Sequence, residues 1–276
     1  MKAICSTSTI KGHRGENQDR FCVDDIIVSF DSPQIACEAD IPLSETDRHI
    51  IAVADGVTNS TEGGRCAELT VKTISEFYKK GYFDKEISKE RFDHLMETAA
   101  RAIRWEFKDY DYTSGSTTIS IVVFDKKNVW CYNLGDSPIY LIRDGAFIPM
   151  FREDTLGAEK ERENNEKGLL NRLLNKNPPS QQAFNCLTKC VSSRAYTFDG
   201  FVTSADFQEK DILLIASDGL FKSVPQNEIM SLIEESAGAD KLTQKAEKYH
   251  ASDDTTVALI RKEGNKNGHI FFPNED

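Results

Sequence analysis

The sequence predicts an α+β protein in which β-sheets pack on one another and helices cover their outer faces. Short runs rich in Val, Ile and aromatic residues recur in two groups, each bounded by Gly, Asp or Asn. Two long amphipathic stretches lie side by side between those groups. A hydrophobic fraction of 39% with 16 Phe supplies a sizeable core for the 276 residues, so the chain is globular and not disordered.

Taken in order, residues 26–30 and 49–54 read as strands. Residues 31–47 are polar, hold Pro33 and Pro42, and read as a surface loop. In residues 65–80, Cys66, Leu69, Thr73, Ile74 and Phe77 recur at helical spacing, and Gly81 follows as a stop. Residues 89–107 do the same with Phe92, Leu95, Met96, Ala99, Ile103 and Phe107, so both helices present a core-facing stripe. Strands are expected at 117–124, 129–134, 139–143, 211–216 and 255–261, with hairpin turns at 126–128 and at Asp144-Gly145. Pro225 suits the first turn of a third helix through Glu235, and residues 240–249 read as a fourth. Residues 153–192 are charged and carry an amphipathic piece at 169–174; so long an excursion reads as a lid or an inserted subdomain. Residues 1–262 are expected to form one domain, followed by a loose tail at 263–276 whose apolar patch is Ile270-Phe271-Phe272.

The charge balance is 34 − 45 = −11, which argues against non-specific binding to nucleic acid or an anionic membrane. No stretch approaches the roughly 18 apolar residues of a membrane span. The first residues have no apolar core of the signal-peptide kind, which fits a cytoplasmic protein. Seven cysteines without a Cys-x-x-Cys pair speak against zinc and disulfide frameworks and for buried thiols. The five histidines show no ligand spacing.

The chemistry is carried by four acidic stretches: Gln18-Asp19, Ala54-Asp55-Gly56, Ser217-Asp218-Gly219 and Ser252-Asp253-Asp254. Asp55 follows the run 50–54, and Asp218 follows the run 212–217. Any one Asp-Gly is most simply a turn. A set of them at the ends of buried strands is different, because converging carboxylates repel and need a positive charge among them. With oxygen ligands only, that charge is Mg²⁺ or Mn²⁺.

Six motifs now stand in order: Arg14-Gly15-Glu16-Asn17-Gln18-Asp19, Val53-Ala54-Asp55-Gly56, Ser114-Gly115-Ser116-Thr117, Leu134-Gly135-Asp136-Ser137, Ala216-Ser217-Asp218-Gly219-Leu220 and Asp253-Asp254-Thr255-Thr256. In this order and spacing the chain resembles the metal-dependent protein phosphatase 2C family, in its compact bacterial type, over about residues 2 to 262. The resemblance implies a four-layer α-β-β-α fold, two antiparallel sheets between pairs of helices. It implies hydrolysis of phosphoserine and phosphothreonine in proteins by a water that bridges two Mg²⁺ or Mn²⁺ ions. Asp55 would bridge the two ions and the Gly56 carbonyl would bind one; Asp218 and Asp253 would complete the other, with Asp19 acting largely through coordinated water. Asp136 matches the position that holds a third ion, together with Asp218. Arg14 would clamp the substrate phosphate, since a guanidinium offers a two-pronged fork. The implied partners are a phosphorylated protein substrate and a cognate kinase, with the chain acting as a monomer in signalling and with neither nucleic acid nor membrane.

The departures from the family pattern concern substrate and rate, not metal ligands. Val57-Thr58-Asn59 follows Asp55-Gly56 where a Gly-Gly pair is common, and Gly63-Gly64 comes only later. Val57 also removes the His that some relatives place there. Pro138 replaces a common Arg, and Asp254 stands where Asn is usual. Two other readings are weighed. A catalytically weak phosphatase-like module that binds phosphoproteins or a partner is opposed by the retention of Asp19, Asp55, Asp218 and Asp253. A two-metal nuclease is opposed by the acidic charge and the lack of a basic stripe. A cysteine phosphatase is disfavoured too, because no Cys is followed by Arg six positions on.

Overall fold

The computed structural model of the protein describes residues 1–13, 15–28, 34–57, 62–109, 115–166 and 178–263. The chain begins with β1 (Lys2–Ile10), β2 (Asp19–Val23), β3 (Ile26–Ile27), β4 (Gln34–Pro42) and β5 (His49–Asp55), then α1 (Gly63–Lys79) and α2 (Lys89–Glu106). Next come β6 (Ser116–Thr117), β7 (Ile119–Phe124), β8 (Asn128–Leu134), β9 (Ile139–Arg143), β10 (Ala146–Pro149), α3 (Leu156–Glu166) and α4 (Gln181–Phe184). The last described elements are β11 (Val191–Ser192), β12 (Phe201–Asp206), β13 (Ile212–Ala216), α5 (Asp218–Ser223), α6 (Gln226–Glu234), α7 (Ala239–Lys248) and β14 (Thr255–Glu263).

One six-stranded sheet runs β10-β9-β13-β14-β1-β4 and the other β12-β8-β7-β5-β2-β3, with every pairing antiparallel. Three apolar layers hold them. Along β5, Ile51 and Val53 face the space between the sheets, while Ile50, Ala52 and Ala54 face α1 and α2. Along β13, Leu213 and Ile215 enter the inter-sheet layer, while Leu214 and Ala216 meet α6 and α7. This is why both strands read as continuous apolar runs: a strand buried on two faces has no polar side to alternate with. Each fully buried Leu, Ile or Val contributes about 1.5–3 kcal/mol, so the three layers together make the four-layer α-β-β-α stack expected from the sequence.

Several expectations need correction. Residues 31–47 are not all loop, because 34–42 form β4 at the edge of the first sheet, paired with β1. An edge strand tolerates polar residues on its open side, and Pro42 ends it, where a missing N–H costs the ladder little; residues 36–40 are accordingly exposed. Of 26–30, only Ile26–Ile27 is strand among the described residues. Pro225 precedes the helix as its N-cap and is not within the first turn. The strands β1, β2, β10 and β12 lacked the apolar runs that reveal a strand in sequence. At the β9–β10 turn, Asp144 and Gly145 both take positive φ, 52° and 72°, the twist that a tight hairpin needs. The cysteines are free, with Cys5, Cys22, Cys66 and Cys131 buried but Cys37 and Cys186 exposed. No described helix is long and apolar enough to cross a membrane. The pieces at 169–174 and 270–272 lie outside the described residues.

Candidate metal centre

Antiparallel pairing delivers the acidic residues to one rim. Asp19 opens β2 and Asp55 closes β5, and the two are direct cross-strand partners. Ala216 at the end of β13 lies opposite Val257 near the start of β14, so Ser217-Asp218 and Asp253-Asp254 meet at the same end of the other sheet. Asp136 follows β8 in a loop tied down by Asp154: the Asp154 N–H donates to the Gly135 carbonyl at 2.9 Å, and the Gly135 N–H donates to Asp154 Oδ2 at 3.4 Å. Asp55, Asp136, Asp218 and Asp253 line one cleft of about 530 Å³. Asp19 lies beneath them with no solvent exposure.

Two glycines make that convergence possible. A Cβ on Gly219 would come within 2.0 Å of the Asp254 carbonyl oxygen, and one on Gly56 within 2.5 Å of the Gly63 backbone. Only Gly allows backbones to approach this closely, so Asp218 is drawn against the Asp253-Asp254 turn and Asp55 against the start of α1. The late Gly63-Gly64 pair thus forms the first turn of α1 and abuts Gly56 and Gln18.

The electrostatics are those of a cluster short of positive charge. Burial, and then the charges of Asp19, Asp218, Asp253 and Asp136, push the Asp55 carboxyl well above the usual carboxylate range. Burial and the Asp254 charge raise Asp19 to about 7, and burial with the Asp218 charge raises Asp136 to about 7. Lys222 is the one basic side chain among the described residues lining the cleft. Its ammonium pairs with Asp218 one helical turn back and lies 3.3 Å from Asp253 Oδ2. Two further groups set the frame. Ser217 Oγ donates to Asp19 Oδ2 at 2.7 Å and accepts from the Thr256 N–H at 2.9 Å. Asp254 accepts from the N–H groups of Gly12 (2.9 Å) and Gln18 (2.7 Å), so its carboxylate staples both ends of the segment that carries Arg14.

The donor set suits a hard divalent cation. Its candidates are carboxylate oxygens and a backbone carbonyl, with no thiolate or imidazole in the cleft lining. Asp19 Oδ1 is buried with no hydrogen-bond partner, although a buried carboxylate oxygen ordinarily has one. Among the described residues no group of three or more His, Cys, Asp or Glu side chains stands close enough together, as it is, to hold a metal ion. An open set agrees with Mg²⁺-like ions, which keep several waters and use one or two carboxylates each.

Of the residues singled out in the sequence, Asp19, Asp55, Gly56, Asp136, Asp218 and Asp253 are brought to this rim; Arg14 lies outside the described residues. Sequence reasoning quoted Ser217 and Asp254 within the motifs without assigning either a role, and it missed Lys222, whose usable signal is its i, i+4 spacing from Asp218. Thr117 and Thr118 brace Asp55 through its backbone: Thr117 Oγ1 and the Thr118 N–H both donate to the Asp55 carbonyl at 2.9 Å.

Comparison with known proteins identifies the family. A family model described as "Protein phosphatase 2C" matches residues 37–253. The serine/threonine phosphatase stp of Listeria welshimeri is 25% identical over 230 residues, covering 79% of this chain and 86% of that protein. Among solved structures, the serine/threonine phosphatase Stp1 from Staphylococcus aureus superposes with a TM-score of 0.71 at 18% identity, over 94% of this chain and 95% of that one. The catalytic domain of the serine/threonine phosphatase PstP, solved in complex with two manganese ions, gives a TM-score of 0.65 at 17% identity, over 95% and 99%. At such identities the structural likeness bears on the fold alone.

Proposed function

The chain belongs to the protein phosphatase 2C family and is a serine/threonine phosphatase of it; from that premise we propose that it hydrolyses phosphoserine and phosphothreonine in proteins with two Mg²⁺ or Mn²⁺ ions at the acidic rim. The observation that carries this reading is the convergence of Asp55, Asp136, Asp218 and Asp253 on one cleft above the buried Asp19. When bound, the ions would lower the pKa of a water and supply positive charge against the phosphoryl oxygens.

The chain's own residues do the rest. Asp55, the Gly56 carbonyl, Asp218 and Asp253 would hold the ions, with Asp19, clamped by Ser217, acting from behind them. The Asp254 staple holds Gly12 and Gln18, the two ends of the segment whose Arg14 would grip the phosphate. No histidine lines the described cleft and Val57 occupies its wall, so the leaving alkoxide takes its proton from solvent. Asn185 and Leu187 line the cleft, and the 153–192 segment that carries them acts as a lid that tunes the choice of protein substrate. The test is manganese-dependent hydrolysis of p-nitrophenyl phosphate and of a phosphothreonine peptide. A protein that binds the peptide but turns over neither compound is instead the catalytically weak module.

Two variants probe individual roles. Arg14→Ala raises KM for a phosphopeptide more than it lowers kcat, as expected for a contact equally strong in ground and transition states; an unchanged KM assigns Arg14 to the surface. Asp136→Ala leaves two tightly held ions in calorimetry against Mn²⁺ but removes a third, weaker binding step, because an ion with few protein ligands binds loosely. A full set of binding steps in Asp136→Ala makes Asp136 a turn residue only.

A further inference from the structure

We propose that an apolar groove opening off the metal cleft selects substrates carrying an aromatic or large aliphatic residue close to the phosphorylated Ser or Thr. The proposal rests on the phosphatase reading above and specifies its substrate. The groove, of about 280 Å³, shares Asp136, Asn185, Asp218 and Lys222 with the cleft, so a peptide whose phosphate sits over the carboxylates has this groove as its continuation. One wall is aromatic and already assembled. The Tyr140 ring centroid lies 5.4 Å from Phe151 and 5.3 Å from Phe221, each pair at an angle characteristic of edge or tilted packing. All three rings are only partly buried, leaving apolar surface open at the cleft edge.

The facing wall comes from Glu153, Gln181, Phe184 and Asn185. Phe184 of α4 sits against the backbone of α3 at Gly157, where a Cβ would come within 2.6 Å of the ring. That contact holds the ring in place before any substrate arrives, so little side-chain entropy is lost on binding. The charge pattern excludes the opposite kind of substrate. Glu153 stands on the groove wall, and where the groove meets the cleft Asp136 and Asp218 outnumber Lys222, whose ammonium already pairs with Asp218, so an acidic flanking residue would meet a net like charge. Pro138, where the family commonly carries Arg, lines the same groove and offers no cation to an acidic side chain. The occupant that fits is therefore an apolar side chain of the phosphoprotein itself.

The test is a phosphothreonine peptide series with Phe, Ala or Glu at each position within two residues of the phosphorylated Thr. In the wild-type enzyme, Phe exceeds Ala in kcat/KM by about tenfold at one or more positions, the discrimination expected of a hydrophobic subsite, and Glu falls below Ala. In Phe184→Ser and Tyr140→Ser, with folding checked by circular dichroism, the Phe/Ala ratio falls toward unity. A wild-type ratio below about twofold at every position overturns the proposal, as does a full ratio in both folded variants. Fluorescence anisotropy with non-hydrolysable phosphonate versions of the same peptides reads the groove without turnover. Tighter binding of the Phe peptide supports it even if p-nitrophenyl phosphate hydrolysis fails and the catalytic reading falls; equal binding of the Phe and Ala peptides overturns it.

Discussion

Asp55→Asn folds and loses phosphatase turnover by on the order of a thousandfold or more. Groups that merely support a metal ligand cost 10–100-fold when removed, so a carboxylate proposed to bridge both ions costs more. The substitution keeps the shape of the side chain and removes its charge. Burial and four neighbouring carboxylates disfavour that charge in the protein without metal. Neutralising it relieves repulsion, so the metal-free variant melts no lower than the metal-free wild type. The pattern to look for is activity lost while stability is kept or raised. A matching loss of both would mean that Asp55 is a structural residue at the end of β5, and near-normal turnover at saturating Mn²⁺ would remove it from the site.

Chelation with excess EDTA abolishes hydrolysis of p-nitrophenyl phosphate and phosphopeptide alike, and Mn²⁺ or Mg²⁺ restores it. The candidate ligands in the cleft are oxygen donors, with no thiolate to retain an ion against a chelator. The same experiment has a readout free of turnover. Ions that bind the folded chain stabilise it by about 2.7 kcal/mol at a hundred times Kd, which for a domain of this size raises Tm by about 5 °C or more. Adding Mn²⁺ to the chelated protein therefore raises Tm, and the rise is reduced in Asp55→Asn. Undiminished turnover in EDTA would sink both the metal assignment and the family mechanism built on it.

The structure also shows what makes a strand visible in sequence. β5 and β13 stand out because each is apolar on two faces. β1 is equally central, between β14 and β4, yet it reads Lys-Ala-Ile-Cys-Ser-Thr-Ser-Thr-Ile and gives no such signal. Its buried hydroxyls are satisfied from afar: Ser8 by Thr243 and Thr9 by Thr256, each at 2.7 Å, and Ser6 Oγ by the Ala239 N–H at 2.9 Å. A small polar residue can be buried once it has a partner, and that partner lies more than 230 residues away. β4 was hidden for the opposite reason, since an edge strand with an exposed side looks like polar loop.

By itself the sequence determined the four-layer class, the two long helices and the acidic residues 19, 55, 136, 218 and 253 as one candidate set. Local pattern carried part of this, with periodicity for the helices, doubly buried runs for the strands, and Asp at a strand end for Asp55 and Asp218; the four layers and the rest of the acidic set were what the resemblance to the family implied. Only the tertiary structure decided which groups answer those carboxylates. The pairing of Lys222 with Asp253, the clamp of Ser217 on Asp19 and the staple of Asp254 on the 12–18 segment join residues 31, 198 and more than 230 positions apart. The aromatic groove is likewise built from β9, the loop after β10, α4 and α5. Contacts of this kind arise from packing two sheets and their helices into one stack, and a hydrogen bond or ring contact leaves no periodic trace in the chain that makes it.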